Sequence, residues 1–171
     1  NPIKPIEGGW GCYKVSEGCA SCYAETLNKR YGNKRDFKGQ WQFEVKQKEL
    51  DGLAKLLAGS KVFMCDMTDL FHPNIPFSMV GEVFTAMEKN THLTYQLLTK
   101  RPGRMAWWAS RHGWPDHIWA GTSVENAKYL PRLDVLARVP ARVRFISCEP
   151  LLGPLDLRPW IGCKECAGNS E

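Results

Sequence analysis

The sequence predicts an α/β fold, a partial TIM-like (β/α) barrel with parallel strands, cut short at its C-terminus. Three observations carry this expectation. Short apolar runs alternate with amphipathic stretches of helical length, the pattern of βαβ units and a parallel sheet. Each apolar run ends in polar, chemically capable residues, and in barrels and open α/β sheets ligands sit at the C-terminal ends of strands. The chain has 171 residues, whereas a full eight-stranded barrel needs more than about 200.

The elements follow in order. Ala20 to Arg30 reads as a helix that begins at a group of cysteines. Lys61 to Cys65 reads as a buried strand followed by Asp66-Met-Thr-Asp69. Ser78 to Lys89 is helical, with Val80, Val83, Phe84 and Met87 on one face. Leu93 to Leu98 is the next strand, followed by Thr99-Lys100-Arg101. Pro102 suits the first turn of a short helix carrying Met105, Trp107 and Trp108. Ile118 to Gly121 is a third strand, ending in Thr122-Ser123-Val-Glu125. Ala127 to Arg138 reads as a helix with Leu130, Leu133, Leu136 and Ala137 inward. Val143 to Ser147 is a fourth strand, followed by Cys148-Glu149-Pro150. One further strand is expected near each end. Residues 1–160 form the barrel-like unit, and residues 161–171 read as a cysteine-containing insertion or incomplete segment.

Composition narrows the function. The chain is 43% hydrophobic and 24% charged, ordinary for a globular protein. No apolar stretch approaches the roughly 20 residues of a membrane helix, and the first ten residues lack a signal-peptide pattern. The expectation is a cytoplasmic protein without membrane contact. The net charge of +5 permits an anionic partner without demanding one. Seven cysteines in a core-rich chain without export signals point to metal rather than disulfides. There is no P-loop, dinucleotide fingerprint, metalloprotease helix motif or serine nucleophile elbow.

Cys12, Cys19 and Cys22 have the spacing C-x6-C-x2-C on a glycine-flanked loop entering a helix. Three thiolates so placed suit a 4Fe–4S cluster with one iron left open, and the helix N-terminus offsets its negative charge. The alternative is zinc, which takes four ligands; Cys163, Cys166 or a histidine could supply the remainder. The strand ends nominate Asp66, Asp69, Thr99, Ser123 and Glu125 as a cofactor-binding wall. Lys100, Glu149 and Cys148 are the candidate reacting groups. Helix capping is the competing explanation for Asp66, Thr99 and Ser123.

Several blocks carry a resemblance: Gly11-Cys-Tyr-Lys-Val-Ser-Glu-Gly-Cys-Ala-Ser-Cys-Tyr-Ala-Glu25, Met67 to His72, Gln96 to Pro102, Gly121 to Glu125, and Phe145 to Pro154. Together they resemble a phage-associated three-cysteine-motif family of unknown function, which in turn is similar to radical S-adenosylmethionine enzymes such as spore photoproduct lyase. The resemblance implies a 4Fe–4S cluster on Cys12, Cys19 and Cys22, with S-adenosylmethionine on the open iron. By analogy of fold it implies a nucleic acid or nucleotide-like substrate. Two features depart from the pattern. The usual radical-enzyme spacing is C-x3-C-x2-C, and the chain reaches Cys163-Lys-Glu-Cys166 in place of a glycine-rich strand. The reading of another class is a non-enzymatic zinc-binding module, with a partner protein, in a phage or defence complex.

Overall fold

A computed structural model describes residues 1–32 and 41–161. The protein is a mixed α/β structure built on a four-stranded parallel sheet. The sheet consists of β3 (Lys61–Met64), β4 (Thr94–Thr99), β5 (Ile118–Ser123) and β6 (Arg144–Ser147), in that spatial order. All three pairings are parallel, as the alternating pattern requires. The connecting helices are α3 (Phe77–Lys89), α4 (Pro102–His112) and α5 (Pro131–Leu136).

Local sequence explains the helix limits. Pro102 opens α4, where its missing N–H costs nothing, and Gly113 closes it at φ 73°, a left-handed position that glycine takes without penalty. The apolar stripe of α3 buries Val80, Val83, Phe84 and Met87, the four residues its periodicity nominates. The segment after β5 departs from expectation. Instead of one helix from Ala127 to Arg138, a 3-10 turn at Ala127–Tyr129 precedes α5. Leu130 keeps helical angles, φ −52° and ψ −37°, but Pro131 lacks the N–H that would carry the hydrogen-bond ladder through, so α5 starts afresh there. Leu133 and Leu136 are buried, while Leu130 is half-buried and Ala137 exposed.

The strand expected near the start is present, but not in the parallel sheet. β1 (Ile3–Pro5) pairs antiparallel with β2 (Phe43–Val45) in a separate two-stranded ribbon. Near the other end, the described residues form the short helix α6 (Arg158–Ile161) rather than a strand. Between ribbon and sheet lies α2 (Gln47–Asp51), and α1 (Tyr23–Tyr31) follows the cysteine loop.

The main core fills the space between one face of the sheet and α3 and α4. Tyr95 and Leu97 of β4 and Ile118 and Ala120 of β5 point into it and are at most 1% exposed. The other face carries Phe63, Gln96, Leu98, Gly121, Phe145 and Ser147, as strand alternation dictates. Phe63 on this face is 43% exposed. Among the described residues, no helix is long and apolar enough to cross a membrane.

Candidate three-cysteine site at the strand ends

The site is a cavity of about 710 Å³ over the open face and C-terminal ends of the sheet. Cys12, Cys19 and Cys22 line it together with Asp66, Asp69, Thr99, Lys100, Arg101, Ser123 and Glu149. The loop that carries the thiols is held down from several sides. Cys12 and Cys22 pack with Trp10, Ala24, Met67 and Leu27 in a small apolar cluster. The buried Asn28 of α1 accepts the Trp10 N–H at 2.8 Å. Tyr23 donates its hydroxyl to the Asp66 carbonyl at 2.6 Å, tying α1 to the end of β3.

Glu125 is the hub beneath this loop. Its side chain is wholly buried and accepts Lys100 Nζ at 2.5 Å, the Ser16 hydroxyl at 2.5 Å and Arg132 Nη1 at 2.9 Å. Burial would raise its pKa. The hydrogen bonds from Lys100 and Ser16 and the charges of Lys100 and Arg132 outweigh burial and hold it below the usual carboxylate range. Gly18 lies directly over it, and a Cβ there would come within 2.6 Å of Glu125 Cγ. A glycine beside Cys19 is therefore required by close approach rather than by a positive φ. Gly11, beside Cys12, meets the Trp41 ring in the same way.

Asp69 is the second clamp. Its Oδ1 accepts the Thr99 hydroxyl at 2.7 Å and the Phe71 N–H at 2.9 Å, and its Oδ2 accepts Arg101 Nη1 at 2.7 Å. Arg101 Nη2 also donates to the Tyr13 carbonyl at 3.0 Å. Two cations thus face two thiols: Arg101 Nη1 is 3.8 Å from Cys12 Sγ, and Lys100 Nζ is 3.7 Å from Cys19 Sγ. The thiols differ in character. Burial pushes Cys12 up to about 11. Burial also acts upward on Cys19, but hydrogen bonding from Ser16 and the Lys100 charge bring it below its ordinary value. Cys65 belongs to the main core, is buried and sits in the left-handed region at φ 58°; burial pushes its thiol to about 12.

The nominated residues thus divide by what they touch. Asp66 and Glu149 are exposed carboxylates on the cavity rim, and Ser123 lines its wall. Asp69, Thr99 and Lys100 line it while their polar groups are engaged in clamps. Glu125 does not line it, because its carboxylate is consumed beneath the loop. Cys148 lies elsewhere, in a groove with Leu133, Leu136, Leu157 and Trp160. Strand alternation explains this, since Ser147 and Glu149 face the cavity and the residue between them faces the other way. Cys163 and Cys166 lie outside the described residues. Sequence reasoning missed Ser16 and Arg132, whose role depends on a partner more than 100 residues away in one case and one helix away in the other. It also missed Phe63, Gln96 and Phe145, although their alternation along the strands carries the signal.

Among the described residues, no three His, Cys, Asp or Glu side chains close around one point as a single metal ion requires. Comparison with curated proteins and with solved structures finds no match. A family model described as "Protein of unknown function (DUF5131)" matches residues 4–169, nearly the whole chain, and the protein belongs to that family.

Proposed function

We infer that the protein is an iron–sulfur enzyme of the radical S-adenosylmethionine type, acting on a nucleic acid or nucleotide-like substrate from a partial-barrel scaffold. The observation that supports this reading is the convergence of three loop thiols on one strand-end cavity, with two cations directed at two of them. The donor set fits a cluster. Three loop thiols lining one cavity are the donor type that an iron–sulfur cluster would take. Lys100 and Arg101 supply positive charge and N–H donors beside thiolates whose accumulated negative charge would otherwise be costly. Cys12, Cys19 and Cys22 would hold the cluster.

With S-adenosylmethionine bound and an external one-electron reductant present, such a cluster would supply radical chemistry. The chain's own residues do the rest. Asp66 and Glu149 offer carboxylates to a cationic amino group, and Ser123 offers a hydroxyl on the wall. Glu125 and Asp69 keep the thiol loop and the two cations fixed, which is preorganisation rather than contact with a reactant. The apolar cluster of Trp10, Leu27 and Met67 shields one side of the loop from water.

The test is anaerobic reconstitution with iron and sulfide, followed by metal analysis and visible absorption. The expected result is a coloured protein with stoichiometric iron and sulfide, and S-adenosylmethionine binding by calorimetry that disappears when the cluster is removed. A colourless protein that retains zinc alone overturns the reading in favour of a zinc-binding interaction module.

A further inference from the structure

The cavity has two chemically different halves. Its charged groups gather at the C-terminal ends of the strands beside the cysteines. Among the described residues that line the half running down the open sheet face, Phe63, Gln96, Leu98, Phe145 and Ser147, none is charged. Register places Gln96 between Phe63 and Trp119, and Gly121 between Leu98 and Phe145. The opposite face of the same strands is sealed to within 1% exposure at Tyr95 and Leu97, so the openness is confined to one side.

Two details give this surface a specific chemistry. Phe145 lies across Gly121, and a Cβ at that position would come within 2.3 Å of its ring. The ring is therefore laid over the neighbouring strand as a platform, which only glycine at 121 permits. Beside the platform, the Gln96 side-chain amide makes no hydrogen bond with any described residue. It is half-buried at mid-strand, with a donor and an acceptor to offer. An aliphatic chain would leave that amide unpaired.

We propose that this surface is the seat of a planar, uncharged heteroaromatic ring, a purine or pyrimidine base, stacked on Phe145 and joined by its amide or amidine edge to Gln96. The assignment deepens the function inferred above and rests on it. The cavity volume suits a ligand of nucleotide size, and base–aromatic stacking tolerates any base. Gln96 would supply the discrimination, since a paired edge is favoured and an unpaired one is penalised. The base could belong to the substrate or to the adenosyl cofactor, because both present the same chemistry.

The experiment is titration of the full chain with adenosine, guanosine, cytidine and thymidine, followed by calorimetry and saturation-transfer NMR, with and without saturating S-adenosylhomocysteine. Iron and sulfide content is measured on the same preparations. At least one nucleoside should bind, and Gln96→Leu and Phe145→Leu should each weaken it about tenfold, with urea midpoints showing that both variants fold. Binding that persists beside S-adenosylhomocysteine assigns the seat to the substrate, and competition assigns it to the cofactor's adenine. Absence of nucleoside binding in a protein that loads its cluster overturns the seat alone. Binding that both variants leave unchanged also overturns it. Nucleoside binding in a protein that never loads iron keeps the seat and removes the iron–sulfur function.

Discussion

His72 should make the fold acid-sensitive in a defined window. The ring is fully buried between Tyr13, at 4.5 Å, and Phe43, at 5.3 Å. Its Nδ1 accepts the Asn74 N–H at 3.1 Å, which leaves the proton of the neutral ring on Nε2, where no partner stands among the described residues. Burial first, and then the charges of Arg101 and Arg104, depress its pKa from 6.5 to about 4. Above pH 6.5 the ring is neutral folded and unfolded, and it contributes no pH dependence. Between about 6.5 and 4 only the unfolded chain takes up the proton, so stability falls as the pH falls. Below about 4 both states are protonated and the loss levels off. At 1.36 kcal/mol per pH unit of separation, lowering the pH from 7 to 5 costs about 2 kcal/mol. Urea unfolding of the reduced, cluster-free protein at pH 7, 6 and 5, followed by tryptophan fluorescence, measures this directly. His72→Gln should lack most of the slope, because carboxylates contribute little above pH 5. Parallel slopes in wild type and variant would refute the claim that the fold holds His72 neutral.

Other outcomes follow from the site. Replacing Cys12, Cys19 or Cys22 by Ala should abolish iron and sulfide loading, whereas Cys65→Ala should leave it intact; normal iron in Cys19→Ala would falsify the cluster assignment. Glu125→Ala strands Lys100 and Arg132 without their buried counter-charge and should cost about 3–5 kcal/mol in urea unfolding. Glu125→Gln, which keeps the shape, should cost less and still slow cluster loading; equal stability of wild type and Glu125→Ala would remove the hub role. Met87→Ala, in the core and 0% exposed, should cost about 2–5 kcal/mol without altering iron content, which separates core damage from site damage.

The parallel sheet was legible because its strands are short apolar runs spaced by amphipathic helices, and Asp66, Asp69, Thr99, Lys100, Ser123 and Glu149 stand at the cavity as strand-end placement requires, whereas Glu125 and Cys148 do not. The antiparallel ribbon was not. Ile3–Pro5 and Phe43–Val45 are three residues each, too short for a period of two to register, and they pair across about 40 residues of chain. The Pro131 break was written in the sequence and outweighed by the leucine spacing around it. Lys100, Asp69 and Glu125 were visible as polar strand-end residues, but their partners were not. A buried carboxylate ringed by Lys100, Arg132 and Ser16 looks, in one dimension, the same as a carboxylate waiting for a ligand. Cys148 misled for a simpler reason: a strand end has two faces, and the turn after it decides which one each residue takes.

The order β3-β4-β5-β6 has a consequence for how the protein is made. Each strand of the parallel sheet pairs with the one synthesised just before it, so the sheet grows outward from one edge as the chain emerges. The cysteine loop reverses this economy. It is synthesised before every strand of the parallel sheet, yet Ser16 must find Glu125, 109 residues later, and Cys19 faces Lys100 across 81. Closing loops of that length is late and entropically costly. The thiols are therefore translated before the residues that later enclose them. Until β4 and β5 dock beneath it, the loop lacks the floor that Glu125 and Lys100 supply, so its final shape is set only once the sheet is in place.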